Sequence, residues 1–169
     1  GLLVGGTLKG QELIRNAQSK SLISQIDAYR AANNGFYDKY GQYPGDLSRA
    51  SLLLSLKKDG TTLQVDGDGN GRIGGIGNEG ESLEYWQHLA AADLISGITG
   101  SEPVAGVGIP VGRIPGSAWN VLNASTDGGE MCDTCTMVGN YWRLGSPDVG
   151  GLSVQGLVPA DESYLLDIK

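Results

Sequence analysis

From Thr7 to Tyr40 no proline interrupts the chain, and Ile14, Ala17, Leu22, Ile26, Tyr29, Ala32, Phe36 and Tyr40 recur at steps of three to five residues. That spacing puts them on one stripe of an amphipathic helix, with a polar face opposite. Gly41 stands where a left-handed cap ends a helix, and Pro44 follows. A helix of about 30 residues is expected, roughly 45 Å long at the α-helical rise. The 169 residues fit one globular domain. A rod of this length projects beyond so small a body unless its upstream end sits in a membrane or a bundle. "GLLVGG", Gly1 to Gly6, reads as the last turn of an apolar segment lying upstream.

Composition limits what the rest can be. Twenty-eight glycines and 7% aromatic residues call for many turns rather than an all-helical body. A net charge of -7 argues against a nucleic-acid partner, which needs a basic face to neutralise phosphates. The sequence has no run of eighteen apolar residues and no pattern of a signal peptide.

The stretch "VDGDGNGRIGG", Val65 to Gly75, alternates oxygen-bearing side chains with glycine. Asp66, Asp68 and Asn70 occupy the first, third and fifth places of a D-x-[DN]-x-[DN]-G calcium loop, and Gly71 the sixth. Alternate oxygens in such a loop converge on one ion, and the seventh residue, here Arg72, offers its main-chain carbonyl. Ile73 follows as an inward apolar anchor. At the twelfth place the pattern asks for a bidentate carboxylate and the chain has Gly77. Glu79, Glu81 and Glu84 come next, and Glu81, at the start of a helix, can supply the missing oxygens if the chain doubles back. The expected calcium ligands are therefore Asp66, Asp68, Asn70, Arg72 and Glu81. The alternative is a solvated Asp/Asn/Gly turn.

Around this loop lie two further helical patterns. Tyr43-Pro44-Gly45-Asp46 is turn chemistry, after which Asp46 or Ser48 can cap a short helix running through Leu52, Leu53 and Leu56 to Gly60. "GESLEYWQHLAAADLISG" predicts a helix over Ser82 to Ser96, stopped at Gly97 and packed on the first helix through Trp86, Leu89 and Leu94. Strands are expected in Ser117 to Ser125 and Thr136 to Ser146, with "GLSVQGL" as a third. Gly100 to Gly116, with its three prolines, reads as a loop with one edge strand. "LVPADESYLLDIK" reads as a short helix with Pro159 in its first turn and Tyr164, Leu165 and Ile168 inward.

Catalysis has little support. His88 is the single histidine, and neither a nucleophile elbow nor a phosphate loop is present. On a helix beside Trp86, His88 is better read as a packed or capping residue than as a general base. Ser117, Ser125 and Ser146 look like turn residues, and Trp86, Trp119 and Trp142 like core rather than a sugar-binding platform. No enzymatic function is expected.

Four segments in order carry a family resemblance: "GLLVGGTLKGQELI", "FYDKYGQYPGDL", "DGDGNGRI" and "GESLEYWQHLAAADLISG". Over about the first 100 residues the chain resembles type IV pilins and the related type II secretion pseudopilins, in particular a Gram-negative prepilin-type group with a YPGDL turn and a W-x-H-L helix. The resemblance implies an α+β fold, a long N-terminal helix on an antiparallel sheet of about four strands. Residues 1–41 would be the truncated helix, 42–115 the connecting region with the calcium-like loop and second helix, and 116–169 the sheet and C-terminal helix. It implies a structural subunit that polymerises through its helix with other pilin subunits. Before assembly such a subunit is held in the inner membrane by an upstream segment and processed by a prepilin peptidase. Its final place is an extracellular pilus or a periplasmic pseudopilus. The leader, the methylated residue and its nearby glutamate belong upstream of Gly1 and are not assigned.

Cys132 and Cys135 form a C-x-x-C, ambiguous among a redox motif, half a zinc site and a small disulfide. Glycines upstream suggest a loop rather than a helix start, and His88 alone offers no second ligand pair for zinc. In an exported domain the expected state is a Cys132–Cys135 disulfide, which restricts the unfolded chain by only about 2 kcal/mol. Many pilins bracket a long C-terminal loop with their disulfide; this pair cannot, so that loop's role is not carried over. A second class of function stays beside the filament subunit: a secreted calcium-dependent module binding carbohydrate or protein. The long helix separates the two, because a binding module has no need of it.

Overall fold

The computed structural model describes residues 2–75, 80–124, 139–147, 154–155 and 166–167, and shows an α+β arrangement. Helix α1, Leu2–Tyr40, runs for 39 residues. It ends as its sequence predicts: Gly41 adopts φ 72° and its N–H donates to the Tyr37 carbonyl at 2.7 Å. The buried stripe is shorter than the periodicity suggested. Leu22, Ile26, Tyr29, Ala32 and Phe36 are buried, whereas Ile14 and Ala17 lie on the surface. Upstream of Leu22 the positions in line with that stripe are polar, Gln18, Arg15 and Gln11, so the helix has nothing apolar to offer its own core there.

The expected helix through Leu56 to Gly60 shrinks to a single turn, α2, Ala50–Leu53. Leu52, Leu53 and Leu56 are exposed, so no burial rewards a longer helix, and the chain instead turns at Gly60. Helix α3 spans Gly80–Ala91 and stops short of the predicted Ser96. Asp93 takes a left-handed φ of 57°, the Asp93 N–H donates to Ala90 O, and the Leu94 N–H donates to Leu89 O at 3.0 Å. This is a Schellman closure built on aspartate, a residue that tolerates the left-handed region. Leu94 therefore sits at the rim over Gly35 of α1 rather than in the core.

Strand β1, Ala118–Ala124, pairs antiparallel with β2, Gly139–Pro147, from Ala118↔Gly145 to Ala124↔Gly139. Two short segments join β2: β3, Val154–Gln155, at Ser146 and Pro147, and β4, Leu166–Asp167, at Tyr141 and Trp142. Leu166 and Asp167 were expected in a helix. Here Tyr141 and Trp142 pair with β1 on one edge, and β4 takes up the other edge, whose main-chain groups need partners. The 100–116 loop contributes two isolated bridges, Ala105 to Ile109 within itself and Val111 to Ala118 of β1.

Aromatic residues fill the space between the elements. Tyr29 of α1 lies edge-on to Trp86 of α3 and to Trp119 of β1, with ring centroids 5.1 and 5.7 Å away. A polar thread crosses the same core. The Trp142 indole N–H donates to the Tyr85 hydroxyl at 3.1 Å, which donates to Asn33 Oδ1 at 3.0 Å, joining β2, α3 and α1. All three tryptophans are core residues.

Candidate metal centre

Three separate segments meet main chain to main chain: the Tyr43–Asp46 turn, the glycine loop and the start of α3. A Cβ added to Gly45, whose φ is 84°, would lie 2.4 Å from the Glu81 carbonyl oxygen. A Cβ on Gly67 would lie 2.4 Å from the Gly45 carbonyl oxygen, and the Gly67 N–H donates to Leu47 O at 2.9 Å. Glycine is required at both places because no side chain fits between the backbones.

His88 of α3 holds the two loops. Its Nδ1 accepts from the Gly45 N–H at 2.9 Å, which leaves the ring proton on Nε2, facing the Val65 carbonyl at 3.0 Å. Burial is the largest cause pushing its pKa down to about 4, so the ring is neutral at physiological pH. With both nitrogens engaged and no exposed surface, His88 is a strut rather than a base.

The carboxylates follow from this arrangement. Asp46 is only 2% exposed; its Oδ1 accepts from the Asn70 N–H at 3.0 Å and its Oδ2 from the Gly71 N–H at 2.8 Å. Glu81, in the first turn of α3, accepts from the Asp68 N–H at 2.9 Å and the Gly74 N–H at 2.7 Å. One oxygen from each of Asp46, Asp68 and Glu81 lies within 4.8 Å of the others. Burial, opposed by the Gly71 hydrogen bond and reinforced by Glu81, pushes the Asp46 pKa up to about 6. Three carboxylate oxygens so placed could hold a metal ion, and oxygen donors favour a hard cation.

The sequence-predicted ligands separate into two groups. Asp68 and Glu81 come together, joined by Asp46 from the turn. Asp66 points elsewhere: its Oδ1 accepts from the Ser51 N–H at 2.8 Å, at the first turn of α2, and this bond holds its carboxyl below the usual range. Asn70 is spent within the loop, its Oδ1 accepting from the Arg72 N–H at 2.7 Å, and its Nδ2 donating to Asp68. Arg72 is exposed, and Ile73 is fully buried. The Ile73 N–H donates to Asn140 Oδ1 at 3.0 Å, while Asn140 Nδ2 donates to Gly71 O, so β2 fixes the far side of the loop.

Asp46, read from the sequence as a turn residue or helix cap, instead accepts from Asn70 and Gly71, and Asn140 escaped the sequence reading. Asp46 had a visible signal, an acid directly after a Pro-Gly turn; Asn140, one polar residue in a strand pattern, had none. Cys132 and Cys135 lie outside the described residues. Among the described residues no helix is long and apolar enough to cross a membrane. Comparison of the chain with protein-family models, curated proteins and solved structures found no match.

Proposed function

We propose that the chain is a structural subunit of a filament of the type IV pilin or type II secretion pseudopilin kind, polymerising through its N-terminal helix. The observation that carries this reading is the division of α1. From Leu22 to Phe36 it is built into the body, while between Lys9 and Ser21 its side chains are exposed or half-buried, with Leu13 64% and Ile14 61% exposed. A helix of 39 residues extends about 58 Å. Isolated helices are marginal in water, so the exposed half gains by packing on a partner.

The sheet of about four strands belongs to this proposal, with β1 and β2 as its developed part. So do the partners: other subunits, and, through sequence upstream of Gly1, the inner membrane and a prepilin peptidase. The expected location is a pilus outside the cell or a periplasmic pseudopilus. Calcium, held by Asp46, Asp68 and Glu81, would neutralise the acids and fix the glycine loop, whose ordering otherwise costs about 1 to 2 kcal/mol per residue. Asp66, Asn70 and Arg72 then shape the loop without sharing the cluster.

Sedimentation velocity of the chain tests this reading. It should associate with rising concentration, and Leu13→Glu with Ile14→Glu should weaken association by about tenfold or more, about 1.4 kcal/mol, at an unchanged melting temperature. A folded chain that stays monomeric at millimolar concentration contradicts it. The second reading, a calcium-dependent carbohydrate- or protein-binding module, draws on the same acids and on a cleft of about 540 Å³ beside α1, lined by Gln25, Tyr29 and Arg113. It requires calcium-dependent binding of a glycan or protein that the helix substitutions leave intact.

A further inference from the structure

Between α2 and the glycine loop the chain makes a closed excursion. The Lys57 N–H donates to Thr62 O at 2.8 Å, Gln64 Nε2 to Ser55 O at 3.0 Å, and Ser51 N–H to Asp66. Inward, Lys57 makes a buried ion pair with Glu84. Outward, Leu52, Leu53, Leu56, Leu63 and Val65 are all exposed, Leu52 by 78%. Large apolar side chains gathered on one short segment mark an interaction surface.

Charge indicates what covers it. Lys9, Arg15 and Lys20 against Glu12 give residues 1–24 a net charge of +2, and since the whole chain carries -7, the remainder carries -9. Exposed Asp59 and Asp66 adjoin the leucines in sequence, and exposed Asp93 meets Lys58 of the excursion at 3.0 Å. Asp59 accepts hydrogen bonds from Thr61 and Thr62, which keep it ionised, and Asp66 accepts from the Ser51 N–H. The exposed half of α1 thus presents Leu13 and Ile14 within a basic segment, and the excursion presents leucines beside Asp59 and Asp66, its own Lys57 and Lys58 being paired with Glu84 and Asp93. The two surfaces are complementary, and they lie on different parts of one chain.

Resting on the filament reading above, we infer that the exposed half of α1 in one copy docks on the leucine excursion, residues 52–65, of a second copy. Two unlike surfaces make a heterologous contact, which propagates head to tail into an open filament when its rotation does not close.

The test uses two variants of the full chain, Leu13→Glu with Ile14→Glu and Leu52→Glu with Leu53→Glu, each checked for an unchanged circular dichroism spectrum and melting temperature. Each alone should lose association at least tenfold. Mixed, they should form one-to-one dimers and nothing larger, because one intact helix meets one intact excursion. Zero-length cross-linking of isotope-labelled with unlabelled wild type should join Lys9 or Lys20 to Asp59, Asp66 or Asp93 between copies, and salt should suppress it. If only the helix variant loses association, the inference fails and the filament reading stands. If the wild type does not associate, both fail.

Discussion

The Nδ1 of His88 accepts the Gly45 main-chain N–H at 2.9 Å, so a ring in α3 sets the position of a turn that carries the buried Asp46. Protonation at Nδ1 would replace this acceptor with a donor. His88 titrates at about 4 when folded and 6.5 as its ordinary value. The unfolded chain therefore binds the extra proton first, and the stability this group contributes is full above pH 6.5 and lost as pH falls toward 4. Asp46 runs the other way. Its folded pKa of about 6 exceeds the ordinary 3.8, so its contribution is full below 3.8 and lost as pH rises through 6. In the wild type the two trends oppose each other between pH 4 and 6. Denaturant midpoints in metal-free buffer should separate them: Asp46→Asn should show stability falling toward acid across this window, and His88→Gln stability rising toward acid. The same slope in both variants would contradict the assignment.

Tyr85→Phe should cost about 1 to 3 kcal/mol, because it leaves Asn33 Oδ1 and the Trp142 indole N–H buried without their shared partner. Chemical denaturation reads this directly. If the loss is absent, the thread does not hold the three layers together.

Trp86→Ala removes a side chain 1% exposed that lies between Tyr29 and Tyr85. A loss of about 3 to 5 kcal/mol is expected. A melting temperature equal to wild type would place the residue outside the core.

Gly67→Ala should destabilise the metal-free protein and weaken any calcium response together. The added Cβ would meet main-chain atoms of Gly45 and Asp46 at 2.4 to 2.5 Å, and neither can move as a side chain tip would. Calorimetry with and without calcium checks both effects; an unchanged melting temperature would mean that the loop does not rest on the turn.

The parts legible in the sequence are those that depend on neighbours along the chain. The stripe from Leu22 to Tyr40, the stop at Gly41 and the acidic start of α3 all follow local rules. The α3 stop was misplaced because the helix is already closed at left-handed Asp93, four residues before Gly97. Leu166 and Asp167 were read as helical because periodicity cannot see the open edge at Tyr141 and Trp142. In the candidate site, Asp68 was legible from the loop spacing, and Glu81 from the acidic start of α3 once the chain doubles back. A loop pattern assigns ligands by position along one segment, so it had no way to bring in Asp46 from the turn or Asn140 from β2. Nor could it show that the Ser51 N–H draws Asp66 toward α2.

The proposal that the turn, the glycine loop and α3 hold one cation between them is tested most directly by thermal unfolding with excess calcium, magnesium or chelator on the wild type, Asp46→Asn and Asp66→Ala. An ion that binds the folded chain alone at 100 times its dissociation constant adds about 2.7 kcal/mol. Calcium should raise the wild-type midpoint, and magnesium less, since it demands stricter octahedral geometry. Asp46→Asn should abolish the calcium response, while Asp66→Ala, whose carboxylate serves Ser51, should keep it. A response lost with Asp66 and kept without Asp46, or a wild-type midpoint the same in calcium and chelator, would contradict the site.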